Sequence, residues 1–160
     1  MSKSVNILHL LLALSAAACI HFAWQETKDK IVKLDRLLRA PAAALVPALI
    51  LMLIQLSTRQ PIWPFMAAFF GGLAVGGTRG LTIPLKVERF WRVVRPPGMR
   101  AQVWIAVALA AAVVVDIAGA SAGLPGLAWR FPSALAAMTC AGMLAGRAIA
   151  MGARAWRLVG

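Results

Sequence analysis

The chain has 160 residues, of which 61% are hydrophobic, and its mean hydropathy is +0.80. Soluble domains are roughly 45–50% apolar, so this composition predicts an integral membrane protein of the all-α class and leaves too little polar sequence for a separate soluble domain. The net charge of +12 also suits a nucleic-acid-binding protein, but the basic residues are concentrated between apolar runs, where they favour anionic lipid headgroups and argue against nucleic acid.

The first apolar run, residues 5–25, has about the 20 residues needed to cross a bilayer. Residues 14–19 faintly resemble a lipoprotein cleavage site, but Ala16 and the single basic residue Lys3 fit a signal peptide poorly, so we expect a membrane span. Residues 26–40 are charged, with acid–base pairs four residues apart. This pattern predicts a helix that continues the first span or lies at the interface, and that Pro41 ends.

Four further apolar runs follow. We expect spans over residues 41–56, 62–82, 102–122 and 132–154, with a kink at Pro47 and turns at 57–60 and 123–126. The whole chain, residues 1–160, is therefore predicted to be one polytopic bundle of about five transmembrane helices. Cys19 and Cys140 lie inside apolar runs without metal-ligand spacing, and no metal site is expected.

The distribution of basic residues predicts the orientation. Five lie in residues 26–40, six in residues 79–100 and two, Arg154 and Arg157, at the end of the chain, whereas Lys3, Arg59 and Arg130 alone fall on the opposite side. Because basic loops remain cytoplasmic, we expect the N-terminus outside and the C-terminus in the cytoplasm of a bacterial inner membrane. The six tryptophans agree with this assignment, since five lie at span ends and Trp91 lies in the inner loop.

The loop over residues 84–95 is the more strongly basic of the two inner segments. Its apolar residues recur at helical spacing, which predicts a basic amphipathic helix in the inner interface. A β-hairpin is the alternative, because residues 81–87 alternate apolar and polar. Four basic residues are candidates for contact with lipid headgroups: Lys86, Arg89, Arg92 and Arg95.

Glycines recur every fourth residue in two of the predicted spans. They are Gly72, Gly76 and Gly80 in the third span, and Gly142 and Gly146 in the fifth. Small residues at this spacing permit close helix crossing in lipid. The face therefore serves either packing within the bundle, which we favour, or association with a partner subunit or a second copy.

Asp116 is the one acidic residue well inside a predicted span. Such a carboxylate is costly in a bilayer and suggests a proton relay or an ion pair. Arg147 is a candidate counter-ion, but the two residues are expected in opposite halves of the membrane, and Arg147 can instead extend toward the cytoplasmic surface.

His9 and His21 both lie on the first span, twelve residues apart. At helical rise this separation is roughly 18 Å, so the two cannot hold one haem together. Haem binding would need a further ligand such as Met66 or Met138. We expect no bound cofactor, and haem handling by His9 or His21 remains an alternative.

The chain contains, in this order, the glycine-rich span, Arg79-Gly80, the basic segment Leu85-Lys86-Val87, Pro97-Gly98 and Trp104. In the order of these features, residues 66–116 resemble the small CcdC-type bacterial membrane proteins. That resemblance implies an accessory protein connected with cytochrome c biogenesis. The chain contains no phosphate-binding loop, metalloprotease motif or nucleophile elbow, so we do not expect an enzyme. The leading hypothesis is an accessory subunit or assembly factor of a membrane complex, and the alternative is a small oligomeric proton-coupled transporter that uses Asp116.

Overall fold

The computed structural model describes residues 2–28, 32–33, 38–57, 59–82, 86–88, 93–95, 100–121 and 126–159. These residues form five helices and three very short strands. The helices are α1 (Ser2–Lys28), α2 (Arg39–Ser57), α3 (Trp63–Thr82), α4 (Arg100–Ser121) and α5 (Gly126–Val159). The strands are β1 (Val32–Lys33), β2 (Lys86–Glu88) and β3 (Val93–Arg95).

Three stretches of helix are long and apolar enough to cross a membrane. They are Arg39–Ser57, Ala101–Ala120 and Trp129–Arg157, and a shorter apolar helix covers His9–Gln25. Large apolar side chains also point outward from the bundle, among them Leu53, Phe70, Val114 and Ile149. A surface of this kind suits hydrocarbon and not water. The membrane character expected from composition is therefore present in these helices.

The helix α5 is the centre of the bundle, because it packs against α2, α3 and α4. Its buried positions are mostly small residues, including Ala134, Ala137, Ala141 and Ala148. Small side chains bring neighbouring helix axes close together, and van der Waals packing then holds the helices in lipid. The helix α1 packs on the other side of the bundle, against α2 and α4.

Contacts between named residues fix the directions of the helices. Gly72, Gly76 and Gly80 of α3 meet successive turns of α5, so α3 and α5 are parallel. Asp116 of α4 lies near Arg130 of α5, and Gly119 lies near Trp129, so α4 and α5 are antiparallel. These directions are those of a chain that reverses at each connection between helices.

The three strands join two separate connections of the chain. The strand β3 pairs antiparallel with both neighbours in the order β1-β3-β2, and Val94 is opposite Val32 on one side and Val87 on the other. Since β1 follows α1 and the β2–β3 pair follows α3, these two connections lie at the same end of the bundle. We call this end the sheet end, and the opposite end, with the connections from α2 to α3 and from α4 to α5, the turn end.

This sheet corrects two expectations from the sequence. The amphipathic helix over residues 84–95 is wrong where the chain is described, because 86–88 and 93–95 are the strands of the alternative hairpin. The helix over residues 26–40 is also interrupted, since α1 ends at Lys28 and β1 follows. Each of the three strands contributes at least one β-branched valine to the paired positions, and such residues fit a pleated ladder better than a helix.

Helix ends differ from the predicted spans at two prolines. The helix α2 begins at Arg39, before Pro41, and proline is tolerated in the first turn because its missing N–H has no partner there. The helix α5 begins at Gly126 and contains Pro132, where the fifth span was expected to begin. The turn expected at 123–126 otherwise lies outside the described residues. The remaining spans agree with the helices within a few residues.

Candidate functional site

The glycines of α3 and α5 form the closest contact in the bundle. A Cβ placed on Gly72 would collide with the carbonyl oxygen of Thr139, and one on Gly76 would collide with that of Met143. In return, Gly142 and Gly146 of α5 lie against the carbonyl oxygens of Phe69 and Leu73. Both helices thus present glycine to the backbone of the other, which is the packing expected where helices associate without hydrophobic driving force. The predicted glycine face is occupied within the chain.

Side chains close this contact at both of its ends. At the turn end, the rings of Phe65 and Phe131 meet edge to face with centroids 5.5 Å apart. At the sheet end, Nη1 of Arg154 donates to the carbonyl oxygens of Gly80 at 3.1 Å and Leu81 at 2.8 Å. These are among the last carbonyls of α3, which have no partner within the helix, and a cation there also complements the helix dipole.

The opposite face of α3 is exposed in the part of the chain that the structure describes. Its exposed positions include a second row of small residues: Ala67, Gly71, Ala74 and Thr78. Their spacing of four, three and four residues places them in one narrow stripe, turned away from Gly72, Gly76 and Gly80. A Cβ on Gly71 would have no heavy atom within 4 Å. Among the described elements, α5 is the one with which α3 shares an extensive contact.

Asp116 forms the ionic site of the bundle. Its carboxylate Oδ1 lies 3.9 Å from Nε of Arg130, and the exposed fractions of the two side chains are 4% and 35%. Among the described residues, Oδ1 has no hydrogen-bond partner. His9 of α1 adds a second electrostatic influence on this carboxylate. Three helices, α1, α4 and α5, therefore contribute ionisable groups to one place near the turn end.

Arg147 lies far from Asp116, and this position bears on its expected roles as a counter-ion and as a residue at the membrane surface. It follows Arg130 by 17 residues in the same helix, a distance of roughly 26 Å at helical rise, so the ion pair formed by Asp116 is with Arg130 and not with Arg147. Arg147 is also 6% exposed, so it is buried inside the bundle, whereas the sequence left it free to extend toward the membrane surface. Gln102 of α4 is buried as well.

The two histidines of α1 have separate surroundings. His9 is partly buried near Asp116, whereas His21 is exposed and its Nε2 accepts a hydrogen bond from Nε2 of Gln25 at 2.9 Å. Their positions on one helix agree with the expectation that they cannot hold one haem together. Among the described residues, no group of three or more His, Cys, Asp or Glu side chains could hold a metal ion.

The basic residues assigned to lipid headgroups are divided by the described ranges. Lys86 and Arg95 lie in β2 and β3, where they face each other in the strand register. Arg89 and Arg92 lie outside the described residues. Contact of these basic residues with lipid headgroups thus stays a prediction. It now concerns a sheet with basic residues at one end of the bundle, and not an amphipathic helix.

Sequence reasoning missed three features of these sites. The first is the pairing of Arg130 with Asp116, since Arg130 was counted only as an outer basic residue. The two residues lie about equally far along the chain from the α4–α5 connection, and they are therefore at the same depth in the bundle. Arg154 was treated only as a charge, and the exposed stripe on α3 was not separated from the glycines beside it.

No family model, curated protein or solved structure matches the chain.

Proposed function

We propose that this protein is a non-enzymatic accessory subunit or assembly factor of a larger membrane complex, held there by the exposed face of α3. The observation that carries the proposal is the stripe Ala67, Gly71, Ala74 and Thr78, which lies opposite the glycine contact with α5. In lipid, a row of small residues gains little from the acyl chains but permits a second helix to approach closely. One face of α3 holds it in the bundle, and the other is available to a partner helix.

The proposed topology is five spans, with the turn end outside and the sheet end in the cytoplasm. Length and composition identify three helices as candidate spans, and α1 and α3 are not among them. Support for including these two comes from their packing. The helix α3 runs parallel to and in contact with α5, and α1 packs against α2 and α4. A helix in lengthwise contact with a spanning helix lies at the same depth in the bilayer.

The sheet end carries the positive charge that would keep it in the cytoplasm. Residues 26–40 and 79–100, which flank or contain the strands, include eleven of the 17 Lys and Arg residues. Such segments attract anionic headgroups by about 1 kcal/mol per base near the surface. The proposed location is a bacterial inner membrane, and the resemblance to CcdC-type proteins remains a proposal for the kind of complex involved.

Purification from native membranes in a mild detergent tests the accessory role. We expect one or more other membrane chains to be recovered in fixed stoichiometry with this one. A monodisperse particle that contains this chain alone, as monomer or as self-associated copies, would count against an accessory subunit.

A small oligomeric proton-coupled transporter is the second candidate, favoured by the buried carboxylate of Asp116. In sealed vesicles, Asp116→Asn should abolish proton-coupled flux while assembly is retained, and a wild-type protein without flux would remove the candidate. Haem handling through His9 or His21 is the third, and an absorption spectrum of the purified protein decides it.

A further inference from the structure

The cluster of Asp116, Arg130 and His9 has a feature that a simple structural ion pair lacks. The carboxylate is almost fully buried, yet the separation of 3.9 Å from Arg130 is too long for a hydrogen bond. Oδ1 has no hydrogen-bond partner among the described residues. A buried carboxylate needs both charge compensation and hydrogen bonds, and here Oδ1 has a cation at 3.9 Å and no hydrogen bond from the described residues.

We propose that Asp116 is a proton-binding site that exchanges protons with the turn end of the bundle, and that Arg130 is the group that occupies the exchange route. In one state, Asp116 is an anion next to the Arg130 guanidinium. In the other, a proton from the aqueous phase binds the carboxylate, and Arg130 keeps its charge and turns outward to water and headgroups. The exchange needs no co-reactant, because the proton comes from bulk water and returns to it.

The burial gradient supports this route. Asp116 is 4% exposed at its side chain and Arg130 is 35% exposed, so the arginine side chain links the buried carboxylate to the edge of the bundle. Trp129, beside Arg130 in α5, is half exposed and suits the headgroup level. Among the described residues, the positions of α4 that follow Asp116 toward the sheet end on the same helix face are buried and apolar: Val113, Ala112 and Leu109.

Protonation of Asp116 depends first on burial of its carboxylate and then on the charged groups of the neighbouring helices. Those that act on Asp116 are Arg130 of α5 and His9 of α1. The guanidinium of Arg130 favours the carboxylate over the neutral acid by Coulomb attraction, and His9 acts in the same direction. Removal of the Arg130 charge should therefore favour the protonated form, and the proton should remain bound to higher pH.

Infrared difference spectroscopy during a pH titration tests the proposal on the purified protein in lipid. We expect a carbonyl band of a protonated, buried carboxyl group that disappears as the pH rises. Asp116→Asn should remove the band, whereas Asp29→Asn, which changes an acid in the basic segment after α1, should leave it. In Arg130→Gln, the band should persist to a pH at least one unit higher than in the wild type.

Two further measurements keep the proposal open to refutation. If Asp116→Asn does not fold, Asp116→Glu should replace the band by one at the glutamic acid frequency. In vesicles with one orientation of the protein, a pH change on the turn side should alter the band at once, and one on the sheet side should not. A wild type without a titrating band, a band unaffected by both Asp116 variants, an unchanged titration in Arg130→Gln, or proton access from the sheet side alone would each overturn the proposal. None of these readouts depends on a partner protein, so failure here leaves the accessory role untouched.

Discussion

Gly76 of α3 lies directly against the backbone carbonyl of Met143 on α5, with no space for a side chain between the two helices. Gly76 is therefore one of the positions that let the two parallel helices approach so closely. The neighbouring Gly71, five residues earlier on the same helix, faces open space. Gly76 thus marks the face of α3 that packs on α5, and Gly71 marks the exposed face that we propose for a partner helix.

Gly76→Leu should destabilise the isolated protein. A leucine side chain at this contact pushes α3 away from α5, and overpacking of a fitted contact costs about 1–3 kcal/mol or more. The matched control is Gly71→Leu, whose side chain enters open space and should leave stability within about 0.5 kcal/mol of the wild type, as is usual for surface changes. Thermal unfolding in detergent measures both, and equal effects of the two variants would contradict the packing of α3 on α5.

Arg154→Met should loosen the sheet end of the same contact. The variant keeps an apolar stem but loses the two hydrogen bonds to the carbonyls of Gly80 and Leu81, and hydrogen bonds from a charged donor contribute roughly 1.5–3 kcal/mol in total. Arg157→Met, three residues later at an exposed position, is the control. We expect a lower unfolding temperature for the first variant only, together with faster amide exchange over the last turn of α3.

The membrane orientation can be measured with single cysteines. In a background with Cys19→Ala and Cys140→Ala, a membrane-impermeant maleimide added to intact cells should label Gln60→Cys at the turn end and not Glu88→Cys in β2. After the membrane is permeabilised, both should react. Labelling of Glu88→Cys alone in intact cells would reverse the proposed orientation, and labelling of both would contradict the proposed arrangement of spans.

The sequence predicted the helices well because apolar length and glycine spacing are local signals. The glycines at positions 72, 76 and 80 are readable from α3 alone, and those at 142 and 146 from α5 alone, and their common period suggested close packing. What the sequence could not supply was the other face of α3, since the exposure of Gly71 depends on which of the two faces α5 covers.

The sheet was predicted only in part, because its hairpin was the alternative to a helix and its third strand was not expected. A strand of three residues such as β3 carries little periodicity, and its stabilising partner β1 comes from a connection some sixty residues earlier in the chain. Within residues 84–95 the helical pattern of apolar residues was the stronger local signal, and pairing over a long sequence distance overrode it. To propose Arg130 as the partner of Asp116, one needs to know which residues of α4 lie at the same depth as which residues of α5. This alignment follows from the connection between the two helices once the end of α4 and the start of α5 are known.

The most direct test of the accessory role is recovery of partner chains from native membranes with Gly71→Leu. If a partner helix crosses the exposed face of α3, leucine at position 71 should reduce co-purified partner at least tenfold, while the protein alone unfolds at the wild-type temperature. Val75→Leu, a conservative change on the exposed surface beside the stripe, should retain the partner. Undiminished partner recovery with Gly71→Leu would contradict the proposal that this face of α3 is the docking surface.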